Sequence, residues 1–141
     1  MSENKFGNLS PELKGLWCAR LRSGEYKQGA LVLRNKSDEY CCLGVLGDIL
    51  AEETGYHWEK LSAGNYSLVD NEDESAFETA GLPERIRQLT GIEPLGSFVE
   101  GTTVEGHADM KVIDNHRTLS SMNDSGDYSF RDIADFIEKH F

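Results

Sequence analysis

From Cys41 to Glu53 the chain reads C-C-L-G-V-L-G-D-I-L-A-E-E. Cys42, Val45, Leu46, Ile49 and Leu50 fall at i, i+3, i+4, i+7 and i+8, the strongest helical period in the chain, so this segment is expected to be the central helix. Gly44 and Gly47 sit inside it, where each costs about 1 kcal/mol relative to Ala. Their presence implies that another element packs closely against the helix backbone. Gly55 is the expected stop.

On the N-terminal side, Ser10, Pro11 and Glu12 read as the cap and first turn of a helix that carries Leu13, Leu16, Trp17 and Leu21 and ends at Gly24. Gly29 to Asn35 is rich in Leu and Val and is expected to form a short buried strand. On the C-terminal side the signals weaken from Tyr56 to Thr79. Tyr66, Leu68 and Val69 suggest a strand, and Asn71 to Ser75 a mobile loop. A short helix is expected from Leu82 to Thr90, begun by Pro83 and closed by Gly91. A hairpin is expected over Ser97–Val104 and Met110–Ile113, and one helical turn over Thr118–Met122. Ser129 and Asp132 form a capping-box pair before the stripe Phe130, Ile133, Ala134, Phe136, Ile137 and Phe141. About four helices with no regular strand–helix alternation point to one α+β domain with a small, mainly antiparallel sheet.

With 141 residues the chain can bury a core without disulfides or metals. Its three cysteines, two of them adjacent in an apolar run, read as reduced, buried thiols. No apolar stretch approaches the ~20 residues that span a bilayer, and no secretory segment follows Met1, so a cytoplasmic protein without membrane contact is expected.

A net charge of −11 argues against general nucleic-acid binding, which needs a cationic surface. The charge is uneven. Residues 1–36 hold seven Lys or Arg against three Glu, while residues 37–141 hold seven against 22 acids. The acidic run Asp70, Glu72, Asp73 and Glu74 reads as a solvated loop, or as a decoy that imitates a phosphate backbone.

Three blocks stand out: Trp17 to Gly29 as W-C-A-R-L-R-S-G-E-Y-K-Q-G, Tyr40 to Ile49 as Y-C-C-L-G-V-L-G-D-I, and Asn123 to Glu138 as N-D-S-G-D-Y-S-F-R-D-I-A-D-F-I-E. Together they resemble a family of small proteins carried by tailed bacteriophages and prophages. Its pattern is W-x(3)-L-R-S-G-x-Y-x-Q-G, then Y-C-C-L-G-V, then N-D before a terminal S-F-x-x-I-A-D-x-I-E helix. The resemblance implies a genomic setting, and with it a host bacterial cytoplasm, rather than an activity. Where the family often carries another Cys this chain has Gly47, so no shared cysteine metal site is implied.

No nucleophile elbow, phosphate-binding glycine loop or zinc spacing occurs. The pairs His107 with Asp109 and Asp114 with His116 lack a supporting motif, and neither a metal nor another cofactor is expected. The candidate ligand cluster is Arg22, Ser23, Tyr26, Lys27 and Gln28 with Arg34, joined by Asn123 and Asp124. A guanidinium grips a phosphate bidentately, a tyrosine stacks on a base, and Gln reads a base edge. The same residues also suit a helix end and its following turn. The first functional expectation is a non-enzymatic counter-defence protein that sequesters a small phosphorylated, nucleotide-derived signal. The alternative is an acidic inhibitor of a host DNA-binding protein, and a third is an unrecognised hydrolase with a carboxylate or His site. A homo-oligomer stays open.

Overall fold

Helix α1, Pro11–Ser23, starts where expected: the Ser10 hydroxyl accepts from the Leu13 N–H, and Gly24 ends the helix in the left-handed conformation at φ 83°. The computed structural model describes residues 9–95 and 118–141. The central helix α2 spans Cys42–Thr54, and Cys41 is its cap rather than its first residue, its sulfur accepting from the Gly44 N–H. Three strands follow, β1 Tyr56–Lys60, β2 Tyr66–Asp70 and β3 Asp73–Glu78, then α3 Glu84–Thr90, α4 Leu119–Asp124 and α5 Phe130–His140. Pro83 precedes α3 as its cap, Thr118 caps α4, and Ser129 with Asp132 completes the expected capping box of α5.

The strands form one antiparallel sheet in the order β1-β2-β3, which with the helices makes an α+β fold. The expected loop at Asn71–Ser75 is therefore corrected. Asn71 and Glu72 turn a hairpin, Asp73 to Ser75 already belong to β3, and the register shifts between Val69 and Asp70. Strand β1 had no clear sequence signal. The strand expected over Gly29–Asn35 is also absent, leaving isolated bridges at Gln28 and Arg34. Leu31 there adopts φ 76° and is 75% exposed, and Leu33 alone turns fully inward. The hairpin expected within residues 97–113 and both His/Asp pairs lie outside the described residues.

The core joins Trp17, Cys18 and Leu21 of α1 to Leu43, Val45, Leu46 and Leu50 of α2, Leu68 of β2 and Ile133, Ala134 and Ile137 of α5. Its tightest point explains the central glycines. A Cβ on Gly44 would lie 1.9 Å from the Leu33 carbonyl oxygen, and one on Gly47 2.8 Å from Leu68 Cδ1. The loop carrying Leu33 thus rests on the backbone of α2, at a separation that only glycine permits.

Candidate functional site

The three sequence blocks meet at one buried side chain. Asn123, at the end of α4, accepts through Oδ1 from the Cys42 N–H at 3.2 Å and from Gln28 Nε2 at 3.1 Å. Its Nδ2 donates to the Gly29 carbonyl at 2.7 Å and to Asp124 Oδ1 at 3.2 Å. Gln28 Nε2 also donates to the Tyr128 carbonyl at 2.9 Å, and the Leu31 N–H donates to Asp124 Oδ1 at 2.9 Å. From the first block, Trp17 Nε1 donates to the Cys42 carbonyl at 3.0 Å. Gln28, Asn123 and Asp124 therefore do converge, yet their polar atoms are largely spent on holding the chain to itself.

A groove of about 760 Å³ opens beside this seam, within the size range of small-molecule sites. Gln28, Asn35 and Asn123 line it with amides, and Glu39, Asp124, Asp127 and Asp132 line it with carboxylates. Among the described residues no Lys or Arg contributes. The field inside is negative, which disfavours phosphate and favours a cationic group.

The cations expected to grip phosphate lie elsewhere. Arg22 Nη2 bonds Asp135 Oδ1 at 2.7 Å and Glu138 Oε1 at 2.8 Å, tying α1 to α5, and these two carboxylates hold its guanidinium further toward the charged form. Ser23 donates to the Arg20 carbonyl and accepts from the Glu25 N–H, as the end of a helix would. Lys27 is exposed, and its carbonyl accepts from the Tyr40 N–H.

Tyr26 and Arg34 share a different cluster. The Arg34 guanidinium lies 4.0 Å from the Tyr66 ring centre, 5.3 Å from Tyr40 and 5.4 Å from Trp58, while its Nε bonds Asp38 at 2.7 Å. The Tyr26 ring meets Tyr40 edge-on at 4.9 Å. Its hydroxyl donates to Asp48 Oδ2 at 2.6 Å, and Trp58 Nε1 donates to Asp48 Oδ1 at 2.9 Å. Burial first, then the Asp48 carboxylate, pushes the Tyr26 hydroxyl up to about 12, so it remains a donor.

A family model described as a domain of unknown function, DUF8296, matches residues 9–141. The chain belongs to the DUF8296 family. No curated protein and no solved structure matches it. The DUF8296 match runs from the residue before the α1 cap to the last residue of the core, and so covers all three blocks.

In this DUF8296 chain the thiols are buried and unbonded to one another, as their apolar setting implied. Burial pushes Cys18 and Cys41 up to about 11 and Cys42 well above its usual value, so all three are poor nucleophiles. Among the described residues no group of three His, Cys, Asp or Glu side chains is placed to hold a metal ion, and no helix is long and apolar enough to cross a membrane. Sequence reasoning missed Asn35, Glu39, Asp127 and Asp132 of the groove and Asp48 of the aromatic cluster. Only the polarity of N-D-S-G-D pointed toward the groove, and nothing in the sequence pairs Glu39 with Asp127.

Proposed function

We propose that this chain is a non-enzymatic phage accessory protein that acts in the host cytoplasm by engaging a cationic partner, as an acidic inhibitor of a host DNA-binding defence factor would. One observation carries the reading. Among the described residues the 760 Å³ groove is lined by four carboxylates and no cation, while Arg22 and Arg34 are each held by carboxylates or rings of the same chain. A partner's arginine or lysine entering the groove meets Glu39 and Asp127 at its walls, and the net charge of −11 speeds the encounter.

The test uses a hexa-arginine peptide, with amide shifts followed by NMR. Shifts centred on Asn35, Glu39 and Asp127, a tenfold weakening in the double variant Glu39→Gln/Asp127→Asn, and a steep loss with salt are expected. Equal binding by the double variant removes the groove from the function.

Sequestration of a phosphorylated, nucleotide-derived signal is the second reading, and the aromatic cluster favours it. Tyr26 and Arg34 are gathered with Tyr40, Trp58 and Tyr66, rings on which a base stacks, and Lys60 lies 5.8 Å from the Tyr66 ring centre. Mass spectrometry of small molecules released from protein purified out of infected cells decides between the two. A copurifying nucleotide, lost on Trp58→Ala, replaces the first reading with the second.

A further inference from the structure

A second depression lies across the molecule's N-terminal helices. Leu13 and Leu16 of α1, Leu50 of α2 and Leu89 of α3 enclose about 330 Å³. Leu50 is the buried floor, whereas Leu16 and Leu89 are 40% and 46% exposed. These two are among the few large apolar side chains left open to water among the described residues. The rim is acidic: Glu12 and Glu53 line it, and Ser10 stands at its end. Leu13 and Leu16 are three residues apart on one face of α1, so the apolar floor runs along a helix axis rather than forming a round pit.

We propose that this acid-rimmed leucine groove docks a cationic amphipathic helix of a partner protein. An apolar stripe at i, i+3, i+4 and i+7 places one or two large side chains among the four leucines, and lysines or arginines flanking the stripe reach Glu12 and Glu53. At about 330 Å³ the groove lies at the low end of small-molecule sites, and it holds an anchoring Leu or Phe pair with the two rim glutamates beside it. A second copy of this chain is disfavoured as occupant, because it brings its own acidic rim to an acidic rim at a net charge of −11 per chain. The inference rests on the cationic-partner reading for the sign of the helix's charge and not for its place of binding.

The experiment uses a sixteen-residue synthetic helix with leucines in one stripe and lysines elsewhere, alongside a leucine–glutamate version and a lysine-rich version without the leucines. Methyl NMR reads Leu13, Leu16, Leu50 and Leu89. The leucine–lysine helix is expected to shift these methyls. Leu16→Ser with Leu89→Ser, both at exposed positions, should weaken its binding about tenfold with the melting temperature held within a few degrees. Equal binding of the leucine–glutamate helix overturns the charge assignment. Equal binding of the lysine-rich peptide, with shifts at Glu39 and Asp127 alone, overturns this docking site while leaving the carboxylate groove as the partner site. Leucine methyl shifts with no response to hexa-arginine do the reverse. Concentration-dependent methyl shifts without any peptide assign the groove to self-association and overturn the proposal.

Discussion

The seam around Asn123 and the β2–β3 hairpin use similar polar side chains to opposite ends. In the seam an amide is 2% exposed and joins α2, α4 and the loop after α1 through four hydrogen bonds. In the hairpin all six residues of β3 are exposed, and the Asp73 carboxylate accepts from the N–H and hydroxyl of Ser75, two residues along the same strand. The sequence blocks that stand out lie in the first region, and the second carries none of them. A motif rich in Gln, Asn and Asp therefore marks, in this fold, the place where distant segments are locked. The carboxylate groove takes Asp124, Asp127 and Asp132 from the third block, whereas the leucine groove is built from residues outside all three.

The contrast breaks first at Gly44. Gly44→Ala should cost above about 3 kcal/mol, beyond ordinary overpacking, because the obstacle 1.9 Å away is a backbone carbonyl. Gly47→Ala meets only the end of Leu68 and should cost far less, a difference that urea unfolding of the two variants measures directly. Next comes Asn123→Ala, which strands the Cys42 N–H and the Gly29 carbonyl and should cost about 2 to 3 kcal/mol. A polar-to-alanine change at exposed Glu74 in β3 should stay within about 0.5 kcal/mol. If the two losses prove alike, the seam is not the lock described.

Caps were the most legible part of the sequence, because Ser10, Gly24, Gly55 and the Ser129–Asp132 pair act through their immediate neighbours. The α2 stripe was legible for the same reason, and its glycines correctly announced a close approach. The region 29–35 misled because its apolar content serves one inward residue, Leu33. Its hydrogen bonds go to Thr79, Tyr40 and Tyr66 at scattered registers rather than along a ladder. β3, with Asp73, Glu74 and Glu78, has little strand propensity of its own and exists because β2 pairs with it. In the candidate site, Gln28, Asn123 and Asp124 were named from their blocks and do meet. Glu39 and Asp127 become neighbours only through tertiary packing, which no spacing encodes.

Leu31 offers a gentler probe of the seam. Its left-handed backbone, held by Asp124, costs a non-glycine residue about 1 to 2 kcal/mol, of which glycine would recover part after its own entropy loss. Leu31→Gly should raise stability by up to about 1 kcal/mol, seen as a few degrees in melting temperature. A loss instead would mean that the leucine side chain, though 75% exposed, contributes packing of its own.

The smallest expected effect sharpens the other side of the comparison. On β1, His57 Nε2 lies 2.9 Å from Glu59 Oε2, and Nδ1 faces Asn71 Oδ1 in the hairpin turn. Glu59 first, then Asn71, raises the imidazole above its ordinary value, with Glu74 adding a weaker push in the same direction. A raised folded value means the folded state holds the proton more tightly than the unfolded chain does. The resulting stabilisation is fully present below about pH 6.5 and is lost as pH rises through the higher folded value. The ring is exposed, so the effect on global melting is small, and it is read best as the difference between the parent and Glu59→Gln across pH 5.5 to 8.5. NMR titration of His57 should give an elevated midpoint that Glu59→Gln lowers, together with faster amide exchange in the hairpin at the alkaline end. A midpoint at the ordinary value in the parent would show that this side of the sheet is not held by its polar contacts even locally, making the difference from the Asn123 seam complete.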